Sequence, residues 1–126
     1  MSGATSEPSR EQSPAARISN HCVKTLNAYT GRGPTRSWTY INDELVATVL
    51  RDTLTKGELS LVADGRALLV RDMRKAYQDT MGKELVAGVE EITGRKVIAF
   101  LSDNHIDPDI AVESFVLEPL AEPPMP

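Results

Sequence analysis

The sequence predicts an α+β fold: one four-stranded, mostly antiparallel sheet with helices on one face. Three observations lead there. In two long stretches apolar residues recur every three or four positions, the period of a helix buried along one side. In two other regions they alternate, each time as a pair of short runs around a polar connection. The order is helix, β-hairpin, long or broken helix, β-hairpin, and two hairpins separated by helix build a sheet whose helices gather on one side.

Ala15 to Tyr29 is the first helix, with Ile18, Cys22, Leu26 and Tyr29 as its stripe and Val23 beside them. Ser13-Pro14 supplies a capping hydroxyl and a proline for the first turn, and Gly31 stops the helix. Arg36 to Ile41 and Leu45 to Leu50 form a hairpin around Asn42-Asp43. Trp38 and Tyr40 share one face of the first strand. In the second strand Leu45, Ala47 and Val49 face opposite to Val46, Thr48 and Leu50.

Thr55-Lys56-Gly57-Glu58 has the form of a capping box, so a helix starts at Thr55, with Leu59, Leu61 and Val62 as its apolar side. Asp64-Gly65 breaks it. A second segment then runs from Arg66 to Thr93, ended by Gly94. At 1.5 Å per residue it is about 42 Å long, more than the width of a domain this small. Its stripe of Leu69, Met73, Tyr77 and Met81 steps by four and rotates around the rod, then continues through Leu85, Gly88, Val89 and Ile92. Gly82 lies at the changeover, where a bend is expected. Lys75, Asp79 and Lys83 mark the solvated side.

Lys96 to Ser102 and Ile110 to Leu117 make the second hairpin, joined by Asp103 to Asp109. Both faces of the first of these strands are apolar, the pattern of a central strand covered on both sides. Helices on one face leave the other face of the sheet in need of a cover, and a homodimer supplies one. Residues 1–14 and the Pro-rich residues 118–126 read as tails around one domain over 15–117.

Composition excludes several functions. The chain has 126 residues, and fourteen Lys and Arg against eighteen Asp and Glu give a formal charge of −4. A bulk basic surface for nucleic acid is absent. A single cysteine, Cys22, forms no internal disulfide and no multi-cysteine metal site. Its place on the helix stripe makes it a buried thiol rather than a reactive one. No apolar run approaches the ~18 residues of a membrane span, so a cytoplasmic protein is expected.

Chemistry-bearing candidates are few. The Gly31-Arg32-Gly33-Pro34 turn, with Arg36 behind it, has two readings. Its amides and arginines suit a small phosphate or carboxylate, and its glycines and proline equally suit a plain helix-to-strand connection. Arg71 and Arg74, with Arg66, make a basic cluster on the long helix that extends the anion reading toward a nucleotide or bicarbonate sensor. His105 with Asp103, Asp107 and Asp109 lacks calcium-loop spacing and reads as a solvated acidic turn; no metal is expected. Glu90-Glu91 are adjacent on a helix and do not face each other across a substrate. No serine has a recognisable base partner. Neither an enzyme nor a cofactor is expected. A third reading is a self-assembling structural protein.

Gly31-Arg32-Gly33-Pro34, Tyr40-Ile41-Asn42-Asp43, the Leu54 to Glu58 helix start, Asp64-Gly65-Arg66, Arg71 and the run from Glu90 to Val97 occur together and in order. In these the chain resembles the MpsC family of small bacterial domains over Ala15 to Leu117. The resemblance implies a soluble, non-enzymatic accessory or regulatory protein of a sodium-translocating, membrane-potential-generating system. The other components of that system are a membrane subunit similar to antiporter subunits of proton pumps and a large soluble partner, linked to bicarbonate uptake. It brings no catalytic residues; only the Gly31 to Pro34 turn and Thr93-Gly94 map as family-like positions.

Overall fold

A computed structural model describes residues 12–120; of the expected tails, residues 1–11 and 121–126 lie outside the described range. The elements are α1 (Pro14–Thr30), β1 (Arg36–Asn42), β2 (Leu45–Arg51), α2 (Lys56–Ala63), α3 (Ala67–Thr93), β3 (Val97–His105) and β4 (Ile110–Leu117). All strand pairs are antiparallel and the sheet order is β1-β2-β4-β3. The α+β class and the order of elements are as the sequence predicts.

Local signals place the helix ends. Ser13 Oγ accepts a hydrogen bond from the Ala16 amide at 3.1 Å, and Pro14 opens α1. Gly31, at φ 79°, and Gly94, at φ 69°, end α1 and α3 in the left-handed conformation that glycine adopts without a Cβ clash. The capping box of α2 is complete: Glu58 N donates to Thr55 Oγ1 at 3.1 Å, and Thr55 N donates to Glu58 Oε1 at 2.8 Å.

Alternation then builds one core. Val46, Thr48 and Leu50 of β2 and Ala111, Glu113, Phe115 and Leu117 of β4 are buried, while the residues between them face outward. Ile18, Cys22 and Leu26 of α1 and Met81, Leu85 and Val89 of α3 close over that face. Each large apolar side chain buried this way contributes about 1.5–3 kcal/mol.

Four expectations are corrected. β3 is an edge strand, not a central one, and the central pair is β2 and β4. Its double-sided apolar pattern therefore leaves Ile98 and Leu101 56% and 58% exposed. β3 also runs on to His105, which shortens the connection to β4. In α2 the buried side chain is Glu58, whereas Leu59 is exposed and Leu61 and Val62 are half-buried. The long helix is unbroken through Gly82; the absent side chain there makes room for Phe100, whose ring a Cβ would meet at 3.2 Å. The break falls before α3, at Asp64 and Gly65.

Gly88 serves the contact between α1 and α3. A Cβ there would lie 2.1 Å from His21 Nε2, the atom that sits 2.9 Å from the Glu84 carbonyl. Tyr29 also reaches α3, donating to Glu84 Oε1 at 2.7 Å. Gly88→Ala must displace His21 and lose its bond, with a loss of about 1–3 kcal/mol. Urea denaturation will show this as a lower midpoint at unchanged slope; an unchanged midpoint would mean that His21 is not held there.

Candidate functional site

The residues singled out by sequence do not converge. Gly31 to Pro34 connect α1 to β1. The Gly31 amide donates to the Asn27 carbonyl at 2.8 Å, and the Arg32 amide to Thr30 Oγ1 at 3.2 Å. Arg32 Nε donates to the Asp52 carbonyl at 2.9 Å, and the Asp52 carboxylate accepts from the Thr35 hydroxyl. Arg36 lies over the Trp38 ring, 5.2 Å from its centroid, on the outer face of the sheet. Arg71 is exposed on α3, and Arg66 pairs with Asp64 at the surface.

Arg74 has a different place. It is 2% exposed and makes a two-pronged contact with Glu58, Nε to Oε2 at 2.9 Å and Nη2 to Oε1 at 2.5 Å. Its Nη2 also donates to the Thr53 carbonyl at 2.5 Å. On the other side of the same segment, Asp109 accepts from the Leu54 amide at 2.9 Å and from the Thr53 hydroxyl at 3.2 Å. Glu58 thus caps α2 and neutralises α3 at once. The sequence groups Arg74 with the anion-binding cluster because its partner lies sixteen residues away, beyond any local pairing rule.

A second buried acid lies under the helices. Glu113 is 4% exposed on β4, directly across from Ser102 of β3, and neither Glu113 Oε1 nor Ser102 Oγ has a hydrogen-bond partner. Burial pushes its carboxyl up to about 7, while Ser102 and the Arg74 charge act in the opposite direction. Its readable signal was parity: Glu113 shares a face with Ala111, Phe115 and Leu117. Cys22 lies nearby, and burial, reinforced by the Glu113 charge, raises its thiol to about 12. It is a structural side chain rather than a nucleophile.

A depression in the surface runs between α3 and β3. Leu68, Arg71, Asp72, Lys75 and Gln78 form one wall, and Ser102, Asp103 and Asn104 the other, around a hollow of about 550 Å³. It opens toward His105, Ile106 and Asp107 at one end and toward Gly82 and Phe100 at the other. Of the predicted ligand residues it contains Arg71 alone. Arg71 and Lys75 lie there beside Asp72 on α3, and Asp103 and Asp107 border the hollow on the β3 side. His105 bonds its own loop, Nδ1 to the Pro108 carbonyl at 2.8 Å. Among the described residues, no group of three or more His, Cys, Asp or Glu is placed to hold a metal.

The fold and its surfaces define a small α+β protein with a one-sided sheet, an open groove and an Arg74–Glu58 pair closed inside it. A family model described as "Na+-translocating membrane potential-generating system (MpsC)" matches residues 11–119, and the chain belongs to that family. It is similar to an uncharacterized Bacillus subtilis protein, YrhF, with 29% identity over 90 residues, covering 70% of this chain and 74% of that one. No solved structure gives a significant match. No helix among the described residues is long and apolar enough to cross a membrane.

Two outcomes test this account. Arg74→Ala leaves Glu58 buried without a countercharge and is expected to lose about 3–5 kcal/mol, whereas Arg71→Ala stays within about 0.5 kcal/mol. Equal losses in urea denaturation would refute the separation of the two arginines. Glu113 binds its proton more tightly folded than unfolded. Stability therefore falls as pH rises from the ordinary carboxyl value of 4.5 to about 7, and levels off above it. Relative to Glu113→Gln, the unmodified chain should lose about 3 kcal/mol across that window; parallel pH profiles would show that the carboxyl is not desolvated.

Proposed function

We propose that the chain is a non-enzymatic, cytoplasmic accessory or regulatory component of a membrane ion-transport system that generates membrane potential from Na+. The observation that carries this reading is the family match, which spans the whole described core. The chain's placement of charge agrees with it. Arg74 and Glu58 neutralise each other inside the fold, Arg32 is spent on a loop carbonyl, and the groove mixes two cations with three carboxylates. Such a distribution suits protein contacts better than capture of a free anion, so a nucleotide- or bicarbonate-sensing module is the weaker reading. Ion passage itself falls to a membrane-spanning partner, because no described helix spans a bilayer.

The test is genetic and electrical. Cells lacking the gene are expected to build a smaller Na+-dependent membrane potential, read with a voltage-sensitive dye, and a plasmid-borne copy should restore it. An unchanged Na+-dependent potential in the deletion strain would overturn the proposal.

A further inference from the structure

The outer face of the sheet is apolar and no described element covers it. Its cross-strand rows follow from the register. Trp38, Val49, Val112 and Asp103 form one row, and Tyr40, Ala47, Ser114 and Leu101 the next. Tyr40 and Leu101, on opposite edge strands, are 63% and 58% exposed. Four strands about 4.8 Å apart and seven residues long at about 3.3 Å each give a flat area near 440 Å². That area includes the charged corners; its apolar part is a patch of roughly a few hundred Å², a size at which such patches are often functional. Two such faces approach the ~1,000 Å² of a specific interface before side-chain relief is added.

Charge on this face is asymmetric. Arg36 and Arg51 are direct partners at the β1–β2 corner, and Asp103 lies at the opposite edge, on β3. Packing two copies face to face allows two simple two-fold axes. An axis across the strands lays β1 on β1 and inverts the rows, which sets Arg36 over Asn42 and Asp103 over Leu101 of the second copy and leaves neither charged corner facing the other. An axis along the strands lays β1 on β3 and keeps each row over its own counterpart. Arg36 then meets the His105–Asp103 corner of the second copy, twice by symmetry, while Tyr40 covers Leu101.

We infer that the chain forms a two-fold dimer through this sheet face, with the axis parallel to the strands and Arg36 of each copy paired to Asp103 of the other. The occupant of the face is a second copy, because the apolar rows and the two charged corners complement themselves only in that arrangement. The inference stands whether or not the transport reading holds.

Solution mass by light scattering tests it on the full chain. The chain should run at twice its 13.8 kDa mass. Tyr40→Asp, and independently Leu101→Glu from the other edge strand, should give folded monomers, with circular dichroism and thermal unfolding confirming the fold. Arg36→Asp and Asp103→Arg should each weaken association about tenfold or more, and the double variant should recover it to within a few-fold. A monomeric unmodified chain, or a dimer indifferent to Tyr40→Asp and Leu101→Glu, would overturn the interface. Failure of the double charge reversal to restore association would overturn the axis.

Discussion

The buried pair of Arg74 and Glu58 holds together the starts of two helices and the segment that leaves β2. Glu58 begins α2, Arg74 lies two turns into α3, and both meet the segment that leaves β2 at Thr53. Asp109, from the connection between β3 and β4, grips that same segment from the other side. Four elements are thereby fixed at one end of the sheet by charged and polar contacts around the buried Leu54 and Val70. A pair this dry offers little net gain over a hydrophobic substitute, because desolvation offsets attraction. Its effect is geometric: the fork of the guanidinium and the plane of the carboxylate admit one relative placement of α2 and α3.

From that anchor α3 runs about 40 Å over a sheet whose longest strand, at nine residues, is near 30 Å. The mismatch leaves the start of α3 reaching past the sheet, with Leu68 and Leu69 exposed and the groove open between Arg71 and the end of β3. α1 and α3 together cover one sheet face. The covered face is not purely apolar: Ser19, Thr39 and Thr48 join by hydroxyl contacts of 2.7 and 2.8 Å, and Glu113 sits a short way off. A hydroxyl chain satisfies itself at little cost, whereas a carboxyl with an unpartnered oxygen does not. Keeping its proton is the cheaper state for Glu113, which is why its affinity for that proton rises.

Much of this was legible in the sequence where the controlling interaction is local. Ser13, Thr55 with Glu58, Gly31 and Gly94 place helix ends because a cap acts within four residues. The first hairpin, whose turn falls one residue on at Asp43-Glu44, and the alternation of β2 and β4 are equally local. The family resemblance was legible too, through short runs in the right order. What local rules cannot reach is which strand lies at the centre. β3 carries the apolar pattern of a covered strand and sits at the edge, since strand order depends on pairing between distant segments. The same applies to Arg74 and Glu58, and to Gly82 and Gly88. These last two are glycines for lack of space beside Phe100 and His21, not to break a helix.

The misreading of β3 has a physical consequence that ties the fold to the molecule's contacts. A strand patterned on both faces states that both faces are covered, and the intramolecular packing covers only one. The sheet-face dimer inferred above would supply the cover that this pattern lacks within the single chain. The arginines that the sequence offers to a ligand lie in separate parts of the fold. Arg74 is inside the fold, Arg32 holds a loop, and Arg36 lies flat on Trp38 at the corner of the open face, where its charge borders apolar surface. Charge at the rim of an apolar patch, rather than charge at the bottom of a pocket, is the arrangement by which proteins select one another.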